Sequence, residues 1–331
     1  MMGKNTKRGH EVVVKKRPYE EIFTLLAIAG LSLGFISSGG YHQWLMGFIL
    51  LYMIQGYVAW FIFSKCGQPF YGYAVTMAVG AFSTIVSSEM YGWPVWGGIL
   101  LGGVLSSLLA AGLFVATSRA RGFYVGMVSF LLVILFPSLI EALRDITGGR
   151  SGMSFLGLMG TIGYEGLLWL IFGVTLLVVG GLFLLLRSKV GQILTLIAEN
   201  DELAKAVGLN TFKYKLIAYA VMGLLSGWGG GLYVNYIGSI SSVDLGVIAT
   251  IYITFIPIVG GTKVAFGPLI GTLFIRLIPE ALAGIEKYLS IIFGAAFVLV
   301  MLGLRGGIGD NLMVYLSRVF QRLRRAPKGV S

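Results

Sequence analysis

The chain has 331 residues, 56% apolar and 12% charged, about half the charged share of a soluble globular domain. Its net charge of +11 sits at the chain ends and in short breaks between apolar runs, which marks orientation in a membrane and not a folded nucleic-acid-binding surface. One cysteine, Cys66, excludes an internal disulfide, and two widely separated histidines, His10 and His42, offer no metal-ligand pair.

Apolar runs long enough to cross a bilayer as helix recur along almost the whole chain, leaving no room for a separate soluble domain. A barrel needs alternating apolar and polar residues, whereas stretches such as Leu167 to Leu186 are apolar on every face. The expected fold is therefore an all-α integral membrane protein of about ten transmembrane helices, with a range of eight to ten. Residues 1–21 read as a basic arm, too long and too basic for an ordinary signal peptide and retained on the cytoplasmic side. The spans are expected at 22–38, 45–63, 66–88, 95–117, 123–143, 167–186, 216–237, 244–260, 264–283 and 288–304. A basic tail at 305–331 follows, so both termini are expected in the cytoplasm and 22–304 forms one membrane domain of a plasma-membrane protein. This assignment puts most of the 25 Lys and Arg residues on the inner side. The span at 264–283 carries Arg276, Pro279 and Glu280, and a re-entrant or lumen-lining piece is an alternative there.

Two connections are long. Residues 144–166 are glycine-rich, carry Thr147, Gly148 and Gly149, and fall outside. Residues 187–215 carry Arg187, Lys189, Lys205, Lys213 and Lys215 and fall inside. Within that inner loop, Asn200 is a good N-cap, Asp201 and Glu202 oppose the helix dipole, and Gly208 suits the left-handed turn that ends a helix. A short helix is expected, with Leu196, Leu203 and Val207 at helical spacing and Glu199, Glu202 and Ala206 on another side. Small Ala204 and Ala206 would let a partner surface come close. A helix this short is marginal alone, so it must pack on the membrane domain or on a second protein.

Gly223, Gly227 and Gly231 lie at steps of four in one span and predict close helix packing; Gly98 with Gly102, and Gly267 with Gly271, repeat the spacing. Glu141, Asp244, Arg276 and Glu280 are ionisable groups in or near spans, where a charge persists by anchoring at the boundary or by facing a watery path. Gly260-Gly261-Thr262-Lys263 has the wrong order and spacing for a phosphate-binding loop, so the chain is not expected to hydrolyse ATP itself.

Several segments together resemble the LivM-type branched-chain amino-acid permeases of the LivH/LivM family of ABC-importer membrane subunits. Cys66-Gly67-Gln68 with Gly72, then Gly80-Ala81-Phe82, is similar to one family segment. Arg121-Gly122-Phe123-Tyr124 followed by Thr147-Gly148-Gly149-Arg150-Ser151-Gly152 is similar to another. Glu199-Asn200-Asp201 with Ala204, Ala206, Gly208 and Tyr214-Lys215-Leu216 resembles the loop that contacts the ATPase. Gly260-Gly261, Gly267-Pro268, Gly271 and Pro279-Glu280 resemble a fourth. The chain departs from the pattern at Pro69 to Tyr73, at Ala198 and near Arg305.

The resemblance implies a cytoplasmic coupling helix at 200–208 and a transport function without a covalent step. It also implies a LivH-type second permease, two LivG/LivF-type ATPase subunits that hold ATP and Mg, and an extracytoplasmic substrate-binding protein. Gln68, Gly72, Gly80, Thr147, Gly148 and Gly149 become candidate pathway residues. Branched-chain or related hydrophobic amino acids are the implied cargo, with urea, short amides or sugars, or an ion-coupled carrier, as alternatives.

Overall fold

A computed structural model describes residues 18–36, 39–118, 123–281 and 306–315, together with positions 294, 295, 298 and 303. Helix α1, Pro18–Ile36, starts on a proline and carries Glu20 and Glu21 in its first turn, both favourable at a helix N-terminus. Helix α2, Tyr41–Lys65, is buried along nearly its whole length, which is why its sequence has no polar face. Next come α3, Tyr73–Glu89; α4, Val95–Thr117; α5, Phe123–Ala142; and the single turn α6, Arg144–Thr147. Strand β1, Met153–Ser154, leads to α7, Gly157–Arg187, and two short helices follow, α8, Lys189–Glu199, and α9, Asp201–Ala206. Helix α10, Thr211–Ile237, strand β2, Ser239–Ile240, and helices α11, Val247–Gly260, and α12, Gly267–Ala281, complete the order.

Six of these helices, α1, α2, α4, α5, α7 and α10, are long and apolar enough to cross a bilayer. The spans expected at 66–88 and 244–260 are shorter helices of 17 and 14 residues, and the one expected at 264–283 is helical from Gly267 to Ala281, where the described residues stop. At 1.5 Å per residue the first two reach roughly 21–26 Å, less than the roughly 30 Å of a hydrocarbon core. The reason is local. Gly67 turns with φ +63° and Pro69 follows, so 66–72 stays outside any helix, while Gly261 at φ +112° ends α11. The span expected at 167–186 begins ten residues earlier, at Gly157, across a non-helical Gly163. Most of the span expected at 288–304, and most of the terminal segments, lie outside the described residues.

The helices turn back at successive connections and so share two ends. At one end Ser64 and Trp60 donate to the Thr262 carbonyl at 2.7 and 2.9 Å, and Arg187 pairs with Glu21 at 2.7 Å. Lys65, Lys189, Lys205, Lys213 and Lys263 belong to segments at this basic end. At the opposite end Met153 and Ser154 pair antiparallel with Ile240 and Ser239, Tyr236 donates to the Trp44 carbonyl at 2.7 Å, and Tyr41 donates to Glu280. The glycine-rich 144–166 connection is therefore ordered, with its own helix turn, a strand and the start of α7.

Candidate functional site

Three side-chain caps build the 187–215 segment. Ser188 accepts from the Gly191 amide, Asn200 from Leu203 at 3.0 Å, and Asn210 from Lys213 at 3.1 Å, starting α8, α9 and α10 in turn. Asn200 is extended (φ −157°, ψ 101°) and so breaks the chain between α8 and α9. Gly208 takes φ +84° and ends the second of them. Two details differ from the sequence expectation. Glu199 closes α8 and Leu196 also lies on α8, so neither shares a face with α9. Ala204 is buried against the protein's own chain and offers no surface to a partner, whereas Ala206 and Glu202 are exposed. Ser188 and Asn210 carried the same N-cap signal as Asn200, and that signal locates the other two helix starts.

What α9 displays is apolar. Leu203 is 62% and Val207 69% exposed, flanked by Leu196 and Phe212. Underneath, α8 buries Leu194 and Ile197, and Gly191 lies so close to Leu185 and Leu186 that a Cβ there would collide. Gly67 meets Ala198 across the α2–α8 contact. Asp201 bonds Lys205 at 2.7 Å and Lys215 at 3.1 Å, which ties α9 to a buried lysine near the start of α10. Burial pushes the Asp201 carboxyl up, but the hydrogen bonds and charges of Lys205 and Lys215 outweigh that and hold it below the usual range.

From that attachment α10 runs into a glycine junction. A Cβ on Gly80 of α3 would lie 2.5 Å from the Gly227 Cα, one on Gly102 of α4 2.6 Å from the Gly80 carbonyl, and one on Gly227 2.7 Å from the Gly102 carbonyl. Gly223 meets Ser107 and Gly231 meets Thr84 in the same way. Just beside it lies a polar cluster with no ionised member. Gln55 donates to the Ser226 carbonyl at 3.0 Å and accepts from the Ser226 hydroxyl at 2.8 Å; Thr76 bonds Ser226 at 2.8 Å, and Ser106 donates to the Thr76 carbonyl at 2.7 Å. All four side chains are fully buried, and they join α2, α3, α4 and α10 through interhelical bonds of about 0.6–2 kcal/mol each in a membrane. Sequence reasoning passed over them because it looked for charges.

The six candidate pathway residues are not brought together. Gln68 accepts from the Tyr219 hydroxyl at 3.2 Å near the basic end, and Gly72 caps α3 against Phe70. Gly80 belongs to the packing junction. Thr147, Gly148 and Gly149 form a turn at the opposite end, where the Thr147 hydroxyl donates to the Ile140 carbonyl at 2.7 Å and both glycines have positive φ.

Arg276 of α12 is half-buried against α2. Its guanidinium carbon sits 4.2 Å from the Tyr52 ring centroid and 4.9 Å from that of Phe48. Those rings stand roughly 10–16 Å along α2 from its Tyr41 end. A charge at such depth costs about 2.5–3.5 kcal/mol on insertion scales, and cation–π contacts return about 0.5–2 kcal/mol, so ring packing leaves a remainder.

Against known proteins, the profile described as "Branched-chain amino acid transport system / permease component" matches residues 44–301. The chain is 22% identical over 281 residues to the high-affinity branched-chain amino acid transport system permease protein LivM of Salmonella typhimurium, covering 76% of this chain and 66% of that one. It is 30% identical over 174 residues to the probable branched-chain amino acid transport permease protein LivH of Methanocaldococcus jannaschii, covering 52% and 54%. It is 26% identical over 214 residues to the ribose import permease protein RbsC of Haemophilus influenzae, covering 61% and 64%. The chain thus spans between 54% and 66% of the length of these relatives, less than two thirds in each case. No solved structure matches it. Because the matched stretch takes in most of the chain, this protein belongs to the permease component family of branched-chain amino acid transport systems and is an integral membrane protein.

Proposed function

We propose that the chain is the membrane-spanning subunit of an ATP-driven importer for branched-chain or related hydrophobic amino acids. Its companions are a LivH-type second permease, two LivG/LivF-type ATPases holding ATP and Mg, and an extracytoplasmic binding protein. The observation that carries this reading is α9: a capped helix with exposed Leu203 and Val207, bolted through Asp201 and Lys215 to the buried helix α10. An apolar helix surface at the basic end suits docking into a groove of a cytoplasmic subunit. Motion of the docked ATPases then pulls α10, which slides or tilts at its glycine junction and opens the bundle to one side at a time. Both termini and the 187–215 segment face the cytoplasm in this arrangement. The likeness to ribose, xylose and autoinducer permeases favours a second cargo class, small sugars, for the same machine.

Glu202→Lys and Ala206→Trp test the reading, since both positions are exposed and α9 keeps its caps. Each variant is expected to insert and fold normally yet to lose ATPase copurification and ATP-dependent uptake of leucine in reconstituted vesicles. Full uptake by both would remove α9 as the coupling element.

A further inference from the structure

Among the described residues Arg276 forms no hydrogen bond and no ion pair, and its Nε is sealed from solvent without an acceptor. The guanidinium lies over the rings of both Tyr52 and Phe48. That wall is itself fixed. Phe48 packs edge-on against Tyr236, with centroids 5.5 Å apart, and the Tyr236 hydroxyl is held by Trp44 and Tyr164. Glu280, one turn along α12, forms no ion pair with Arg276; one of its oxygens accepts from the Tyr41 hydroxyl. A rigid aromatic wall therefore presents a cation whose edge donors bind nothing among the described residues. Planar guanidinium donors match a carboxylate in bidentate fashion, and an uncharged sugar has no group that needs them.

We propose that Arg276 receives the carboxylate of a zwitterionic amino-acid cargo as it enters from the end of the bundle that carries Tyr41 and Glu280. The wall of Phe48 and Tyr52 lies against the rest of the molecule. This inference rests on the permease reading and narrows its cargo to carboxylate-bearing solutes.

The test uses the complete importer, with both ATPases and the binding protein, in vesicles with and without phosphatidylglycerol, and labelled leucine and ribose as probes. Arg276→Gln is expected to lower leucine uptake at least about tenfold in both lipids, and Arg276→Lys about threefold to fivefold, because an ammonium keeps the charge and loses the fork. Copurification of the ATPases reports that each variant still folds and assembles. Leucine uptake by Arg276→Gln at the wild-type rate overturns the proposal. So does a loss confined to vesicles with phosphatidylglycerol, which assigns the guanidinium to a lipid phosphate. Should Arg276→Gln fail to assemble, Arg276→Lys decides: wild-type uptake overturns the proposal. A wild-type complex that accumulates ribose and not leucine removes the cargo reading, and this inference with it, before any variant is made.

Discussion

Asp201 shows how one carboxylate sets the position of a helix. It answers Lys215, whose side chain is only 10% exposed and would otherwise be left as a charge beneath α9. Removing one partner of a fully buried pair costs about 3–5 kcal/mol, but Asp201 is 35% exposed, so solvent screening reduces the figure to about 1–2 kcal/mol. Its folded-state pKa lies below the unfolded value. The stabilisation is accordingly complete above the unfolded carboxylate pKa of about 3.9 and disappears as pH falls through the lower folded value. At neutral pH the tether does not depend on pH. Asp201→Asn is expected to speed amide hydrogen exchange across residues 201–206 at pH 7, and to make that exchange insensitive to titration of position 201. Wild-type protein should approach the variant's protection only when acidified below about pH 4. Equal protection in variant and wild type at pH 7 would show that the pair does not hold α9.

At the scale of elements, glycines with the same sequence signal have opposite structural meanings. Gly227 has the Ser106 hydroxyl 2.6 Å from its missing Cβ, while Gly173 in α7 has nothing within 4 Å. Gly227→Ala is expected to destabilise the detergent-solubilised protein by about 1–3 kcal/mol, because the three backbones have no room to yield. Gly173→Ala is expected to stabilise it by up to about 1 kcal/mol through the helix propensity gained. Thermal unfolding of the two variants side by side measures both, and an equal effect of the two would rule out the junction as a packing constraint. The steps of four from Gly223 to Gly231 were legible because close packing leaves a periodic trace in one helix. Gly102 carried the same four-step spacing from Gly98, and Gly80 was read as a pathway candidate, but that these two meet Gly227 was not legible, since pairing between distant helices has no local signature. The same reasoning explains Gln55, Ser226 and Thr76, which are ordinary polar residues until the fold places the Ser226 hydroxyl within 3 Å of both the others.

For the whole molecule, apolar run length identified the all-helical class and the long helices, but it overstated α3 and α11, where single residues such as Gly67 and Gly261 stop the helix inside an apolar stretch. The Asn200 cap and the Gly208 turn were legible because caps are local, whereas the Asp201–Lys215 tether and the gathering of Arg276 with Phe48 and Tyr52 were not, being made by residues far apart in sequence. The two ends of the bundle now permit a direct test of orientation. Tyr91, 73% exposed between α3 and α4, lies at the opposite end from Leu203, which is 62% exposed on α9. Cys66 is only 2% exposed and gives little background for thiol labelling. If the basic end faces the cytoplasm, as the positive-inside tendency predicts, Tyr91→Cys reacts with a membrane-impermeant maleimide in spheroplasts and Leu203→Cys reacts only in inside-out vesicles. Labelling of Leu203→Cys in spheroplasts would invert the molecule, place α9 beyond reach of any ATP-hydrolysing subunit, and leave the aromatic wall of Arg276 facing the wrong compartment for uptake.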